Sequence, residues 1–249
     1  MAKLSLMPAA EVAADSIAGG ASRRFSPDGY SLWIEVLDLE PGGGLTWAPA
    51  DGDEAVYVAK GETDVIEYGA DGRRAGCCPP GGAVIVEQGA RAVLTSVGVC
   101  QLIRFGSTEP VGVLGRGVHV FGARGWGFSG DPASTHATWF SDSTWETTPL
   151  TLLRVERDTP RQGPAHHHSR DEIIYLLEGG ISLGSLVAEP GAILCIPADV
   201  RYRITAGVSG YRFLNYRSGP AAQVYERDSA PLLENVDARG GYLTDDRIL

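Results

Sequence analysis

The chain carries the same pattern twice. Glu54-Ala-Val-Tyr-Val-Ala-Lys-Gly61 aligns with Glu172-Ile-Ile-Tyr-Leu-Leu-Glu-Gly179, and Pro80-Gly81 before an apolar run aligns with Pro190-Gly191 before another. The spacing between the copies makes this repetition of a whole domain, not of short solenoid units. Each copy must then close a core of its own, and 249 residues suit two units of about 100 residues with connections.

Composition selects the kind of domain. The 33 glycines and 15 prolines are many for helices and ordinary for short strands joined by tight turns. Strands are expected over Ser31 to Leu39, Ala55 to Lys60, Thr63 to Tyr68, Ala83 to Glu87, Arg91 to Ser96 and Val99 to Phe105. They resume over Thr151 to Glu156, Ala165 to His168, Glu172 to Glu178, Ala192 to Ile196, Arg201 to Thr205 and Tyr211 to Arg217. Only Ala9 to Ile17 is a plausible helix. Strand length and spacing suit an all-β chain of two jelly-roll barrels, whose mouth or interior can hold a small ligand. The expected division is a first barrel over 1–108, a connection over 109–149 and a second barrel with a polar tail over 150–249. The connection mixes glycines with Trp126, Trp139 and Trp145, read as aromatics that pack on the barrels, and it lacks the Gly-Lys-Ser or Gly-Lys-Thr ending of a phosphate loop. The tail from Ser218 is expected to lie along a barrel or a neighbouring subunit.

The formal net charge of -10 comes with no run of Lys or Arg able to track a phosphate backbone, so nucleic acid is not an expected partner. Cys77, Cys78, Cys100 and Cys195 show no Cys-x-x-Cys spacing, and free thiols in a reducing cytoplasm are the expectation. Pro8, Glu11 and Asp15 interrupt the apolar run of a secretory leader, and no stretch approaches the ~20 apolar residues of a membrane span. Jelly-roll edges and outer faces are commonly covered by a second copy, which makes a homodimer the expected assembly.

The second copy carries the chemistry. In the run His166-His-His-Ser-Arg-Asp-Glu172, an extended chain puts His166, His168 and Glu172 on one face and turns His167 away. Two imidazoles and a carboxylate hold a divalent ion while leaving positions open for substrate or dioxygen. The first copy has Ala48, Ala50 and Ala92 at the corresponding places. Glu54 stands there without other ligands, as a remnant or a structural hydrogen-bonding group.

The spacing H-x-H-x-x-x-E-x-x-x-x-x-x-G, with Pro190-Gly191 and Pro197 after it, resembles the motifs of the cupin superfamily. The chain resembles a bicupin with a degenerate first barrel and a ligand-bearing second one. Pro160 and Asp199 stand where the family usually has glycine, and Tyr202 stands where it usually has a further histidine. Bicupins of similar length include manganese-dependent ureidoglycine aminohydrolases, but the ligand order implied by that family differs, so only the architecture carries over.

The expected function is a metal-dependent, dioxygenase-like oxygenase acting on a small organic molecule, aromatic or enolic, with Fe(II) as the ion and Mn, Ni or Zn as alternatives. The resemblance also implies isomerases, hydrolases and decarboxylases that use the metal as a Lewis acid. A non-enzymatic binding or sensory cupin is the reading from a different class. Tyr202 is expected beside the metal as a hydrogen-bond donor or acid, with ligation or packing as the other roles open to it. Arg154 and Arg212 are candidate contacts to an acidic substrate. His119 and His136 lie in the connection, where lone histidines are usually polar surface groups.

Overall fold

The computed structural model describes residues 4–109, 117–130, 135–141, 150–219, 223–225 and 246–249. It is a pair of antiparallel barrels. In the first, a seven-stranded sheet runs in the order Val118–Phe121, Ala83–Val86, Glu54–Lys60, Cys100–Ser107, Leu32–Leu39, Gly20–Phe25, Asp15–Ile17, beside a four-stranded sheet of Gly44–Trp47, Ala92–Ser96, Thr63–Gly69 and Gly72–Cys78. In the second, the main sheet runs Ser5–Pro8, Ala192–Ile196, Glu172–Leu183, Thr205–Ser218, Leu150–Arg157, Thr135–Ser141, Gly127–Gly130, with Leu186–Ala188 paired onto Glu172–Leu183. His166–His168 forms a separate two-stranded sheet with Gln223–Tyr225.

Alternation along each strand sorts the apolar side chains into three cores. Val56 and Val58 face the interior of the first barrel, whereas Ala55 and Tyr57 face the second barrel. Ile174 and Leu176 likewise face the interior of the second barrel, whereas Ile173 and Tyr175 face the first. The shared layer includes Phe105 stacked on Tyr216 at 5.2 Å and 17°, and each such buried side chain contributes roughly 1.5–3 kcal/mol. The paired glycines of the repeat have a common cause. Gly61 (φ 77°) and Gly179 (φ 73°) both turn through the left-handed region, and a Cβ there would lie 2.5 Å from Val99 O and 2.2 Å from Gly210 O.

The two ends of the chain are exchanged between the barrels. Ser5–Pro8 pairs with Ala192–Ile196 of the second barrel. At the other end, Gly122 N donates to Asp246 O at 2.8 Å and Ile248 N to Val120 O at 2.7 Å, so the final residues lie along the first barrel. Residues 226–245 of the expected tail, and Trp145 of the expected connection, lie outside the described residues. The described residues of that connection include three strands: Val118–Phe121 joins the first barrel, and Gly127–Gly130 and Thr135–Ser141 join the second. The helix expected over Ala9 to Ile17 is instead a single 3-10 turn, Ala9–Glu11, followed by the strand Asp15–Ile17. Asp15 lies in an edge hairpin with Gly20–Phe25, where pairing supplies backbone partners that a short polar helix would lack.

Candidate metal centre

Glu172 opens its strand on the same face as Ile174 and Leu176, so its carboxylate enters the second barrel's interior, fully buried. His166 and His168 reach the same space from the neighbouring short strand, and Tyr202 faces them from across. The strand expected over Arg201 to Thr205 reduces to isolated bridges at Tyr202 and Thr205, the residue that opens Thr205–Ser218; at the first, His166 N donates to Tyr202 O at 3.0 Å and Tyr202 N to His166 O at 2.9 Å. Asp199 is the reason the chain bends away. It adopts φ 60°, the left-handed conformation that short polar side chains tolerate and glycine favours, and its N–H donates to His168 O at 2.7 Å.

The side chains make a hydrogen-bonded chain. Tyr202 Oη donates to Glu172 Oε1 at 2.8 Å and lies 3.0 Å from His166 Nε2. His166 Nδ1–H donates to the Pro164 carbonyl at 3.1 Å. Burial lowers the His166 pKa, with the Pro164 hydrogen bond and the Glu172 charge acting the other way, so the ring is neutral and Nε2 carries its lone pair. Glu172 Oε2 sits 3.0 Å from His168 Nε2, yet off the hydrogen-bond direction, and is buried without a hydrogen-bond partner among the described residues.

One residue of the site was not anticipated. Arg217, buried, places Nη1 2.8 Å from His168 Nδ1 and 3.4 Å from Nε2. It shares the inner face of Thr205–Ser218 with Phe213 and Asn215, and its Nε and Asn215 Oδ1 are buried without hydrogen-bond partners among the described residues.

Two of the donor separations, both hydrogen-bond lengths, also match those around a small divalent ion. Bonds of ~2.1 Å in an octahedral shell place neighbouring donors ~3 Å apart, and the His166–Tyr202 and Tyr202–Glu172 separations are 3.0 and 2.8 Å. Among the described residues no three His, Cys, Asp or Glu side chains form a metal-holding group by themselves. Here the Tyr202 hydroxyl stands between His166 and Glu172.

The corresponding place in the first barrel is filled by an ion-pair cluster. Glu54 accepts from the Trp47 indole at 2.6 Å and from Arg104 Nε at 2.6 Å and Nη2 at 2.9 Å, while Arg104 Nη1 donates to Glu35 Oε2 at 3.0 Å. Ala92 is buried in the apolar lining, and Ala48 lies in a turn where its N–H donates to Asp51 Oδ2 at 2.7 Å. Glu54 is thus a structural hydrogen-bonding group.

Arg154 and Arg212 lie on the opposite sheet face from Arg217, in the cleft between the barrels. Arg154 donates to Tyr57 Oη at 3.3 Å, Gly81 O at 3.2 Å and Ala123 O at 3.2 Å. Arg212 pairs with Glu156 and, at 2.8 Å, with Glu178. Neither is brought to the His166–Glu172 cluster. His136 joins Glu156 at 2.9 Å, and His119 lies 3.5 Å from Glu87. All four cysteines are free, and no helix among the described residues is long and apolar enough to cross a membrane.

No protein-family model matches the chain, and no curated protein matches it. Solved structures do. The oxalate decarboxylase of Lactobacillus farciminis, in a formate complex, superposes with a TM-score of 0.73 at 14% identity over 90% of this chain and 89% of that one. The Bacillus subtilis oxalate decarboxylase, in a structure concerned with its Mn(II) centres, gives 0.70 at 12% identity over 90% of this chain and 80% of that one. The two tandem jelly rolls are therefore a cupin architecture. The chain has the bicupin fold, with its polar cluster of His166, His168, Glu172 and Tyr202 in the second barrel.

Proposed function

We propose that the second barrel is the reaction chamber of a divalent-metal-dependent enzyme acting on a small organic molecule, with chemistry of the decarboxylase type in preference to the dioxygenase type. The observation that carries this is the fully buried Glu172 carboxylate, which meets the Tyr202 hydroxyl at 2.8 Å and leaves Oε2 without a hydrogen bond. A buried charge of this kind calls for a cation or a proton. His166 and Glu172 would hold the ion, with His168 and Tyr202 beside them. When bound, it would supply Lewis-acid polarisation of a substrate oxygen.

The rest falls to the chain's own groups. Tyr202 and Glu172 share one proton along a 2.8 Å hydrogen bond and are placed to give or take it at a bound molecule. Arg217 Nε and Asn215 Oδ1 offer a donor and an acceptor on the inner face of their strand, where a polar substrate can use them. The decarboxylase reading is supported by the fold neighbours, which are oxalate decarboxylases, and the Mn(II) centres of one of them favour manganese over iron.

Metal analysis of the purified protein, followed by manganese loading and a screen of small carboxylic acids for carbon dioxide release beside a parallel screen for oxygen uptake, tests this. The expected result is manganese-dependent carbon dioxide release without oxygen consumption. Stoichiometric oxygen uptake would restore the oxygenase reading, and a wild-type chain that binds no divalent ion would overturn the proposal.

A further inference from the structure

Strand register matches the inner walls of the two barrels residue by residue. Arg104 stands opposite Glu35 and Val56 on its two neighbouring strands, and Asn215 stands opposite Leu153 and Ile174 in the same way. Two residues further on, Gly106 stands opposite Trp33, and Arg217 opposite Thr151. In the first barrel these places are filled. Arg104 extends onto Glu54, and the Trp33 ring covers Gly106, where a Cβ would lie 2.2 Å from Trp33 Cζ2. In the second barrel a short amide, Asn215, takes the position from which a guanidinium would reach the glutamate, and threonine replaces the indole. The arginine has moved two residues along the same inner face.

That exchange leaves unmet polar groups on the inner wall. Asn215 Oδ1, Arg217 Nε and Glu172 Oε2 are all buried, and none has a hydrogen-bond partner among the described residues. Arg104 answers two carboxylates. Arg217 makes no ion pair among the described residues, and its Nη1 rests against the His168 ring, 2.8 and 3.4 Å from the two nitrogens. With Glu172 committed to the ion, this buried cation lacks a counter-charge, which a carboxylate accepting from Nε supplies. Asn215 Oδ1 needs the opposite partner, a donor. Residues two apart on one strand face stand ~6.6 Å from each other, a span that a carboxylate and a hydroxyl on the second or third carbon cover with a hydrogen bond at each end. A second carboxylate in place of the hydroxyl only accepts, and leaves Oδ1 unpaired.

We infer that the second barrel takes a short hydroxycarboxylic acid, with its carboxylate on Arg217 and its hydroxyl on Asn215. This rests on the metal-dependent reading above, and narrows its small organic molecule to a substrate class.

Two matched pairs of probes, glycolate with acetate and 3-hydroxypropionate with propionate, isolate the hydroxyl when titrated calorimetrically into the full chain with and without manganese. Wild type should bind at least one hydroxy acid about tenfold or more tighter than its deoxy partner. Asn215→Leu should bring that pair within about threefold by weakening the hydroxy acid alone, and Arg217→Met should weaken both acids about tenfold or more while manganese stays bound. Circular dichroism identifies any variant that fails to fold, and Asn215→Ala or Arg217→Gln then takes its place. Equal binding within both pairs by manganese-loaded wild type, a preference that survives Asn215→Leu, or undiminished binding in Arg217→Met would overturn the inference. A wild-type chain that takes up no manganese, yet binds the hydroxy acid through Asn215 and Arg217, would instead overturn the metal-dependent reading and leave the ligand class standing.

Discussion

Arg104 grips Glu54 inside the first barrel through two hydrogen bonds, Nε to Oε2 at 2.6 Å and Nη2 to Oε1 at 2.9 Å. The same guanidinium reaches Glu35 at 3.0 Å, so one cation serves two buried carboxylates. Arg104→Met leaves both without a counter-charge, with only the Trp47 indole and the Ser22 hydroxyl donating to them, and should destabilise the fold by about 3–5 kcal/mol. Glu54→Gln leaves the pair with Glu35 and should cost less. Urea unfolding of the single and double variants gives the coupling, and additive losses would show that the pair does not act as a unit.

Asp53, beside that cluster, predicts a pH dependence. Burial raises its carboxyl to about 6 from 3.8, opposed by the hydrogen bond from Gln88 N–H and assisted by the Glu87 charge. A carboxyl raised in the folded state favours folding in its protonated form. The benefit is whole below about pH 4 and is lost as pH rises through about 6. Asp53→Asn, which keeps an acceptor for Gln88, should therefore be more stable than wild type by up to about 3 kcal/mol at neutral pH, and no more stable below pH ~4. Thermal unfolding across that range checks the sign.

Two arginines on opposite faces of the second barrel's main sheet should part company. Arg154 ties the barrels together through Tyr57, Gly81 and Ala123, so Arg154→Met should cost about 2–4 kcal/mol of stability and leave manganese affinity unchanged. Arg217→Met removes the buried cation beside His168. It should bind manganese at least as tightly as wild type. A loss of metal in Arg154→Met would place that residue at the site after all.

Period-two geometry makes His167 the internal control. It lies on the opposite strand face from His166 and His168. His167→Ala should retain one manganese per chain, while His166→Ala should lose it. Since Glu54, the counterpart of Glu172, is neutralised by Arg104, a content near two per chain that survives His166→Ala would contradict both expectations.

Much of the fold is written locally. The repeat around Glu54 and Glu172, the glycines Gly61 and Gly179, and the apolar alternation of their strands are short-range properties, and each appears in the structure where the sequence places it. The sequence likewise puts His166, His168 and Glu172 within reach of one another, because six residues of extended chain and a turn can do little else. Asp199 keeps the left-handed bend at a place where the cupin resemblance has glycine, so the substitution changes the residue without changing the turn.

What the sequence does not decide is which side of a strand is the inside. On Thr205–Ser218, Arg217 alternates with Phe213, and Arg212 alternates with Leu214 and Tyr216. Both faces are apolar because one lines a barrel and the other meets the neighbouring barrel, so alternation alone cannot tell Arg217, at the cluster, from Arg212, in the cleft. The exchange of chain ends is hidden for the same reason: strand partners such as Ser5–Pro8 and Ala192–Ile196 are chosen by long-range pairing, which no local pattern records. Residue types and spacing determine that this chain makes two barrels and gathers His166, His168 and Glu172 in the second. Only the tertiary structure brings Arg217 to His168, because long-range strand pairing and not a local pattern sets the two against one barrel interior.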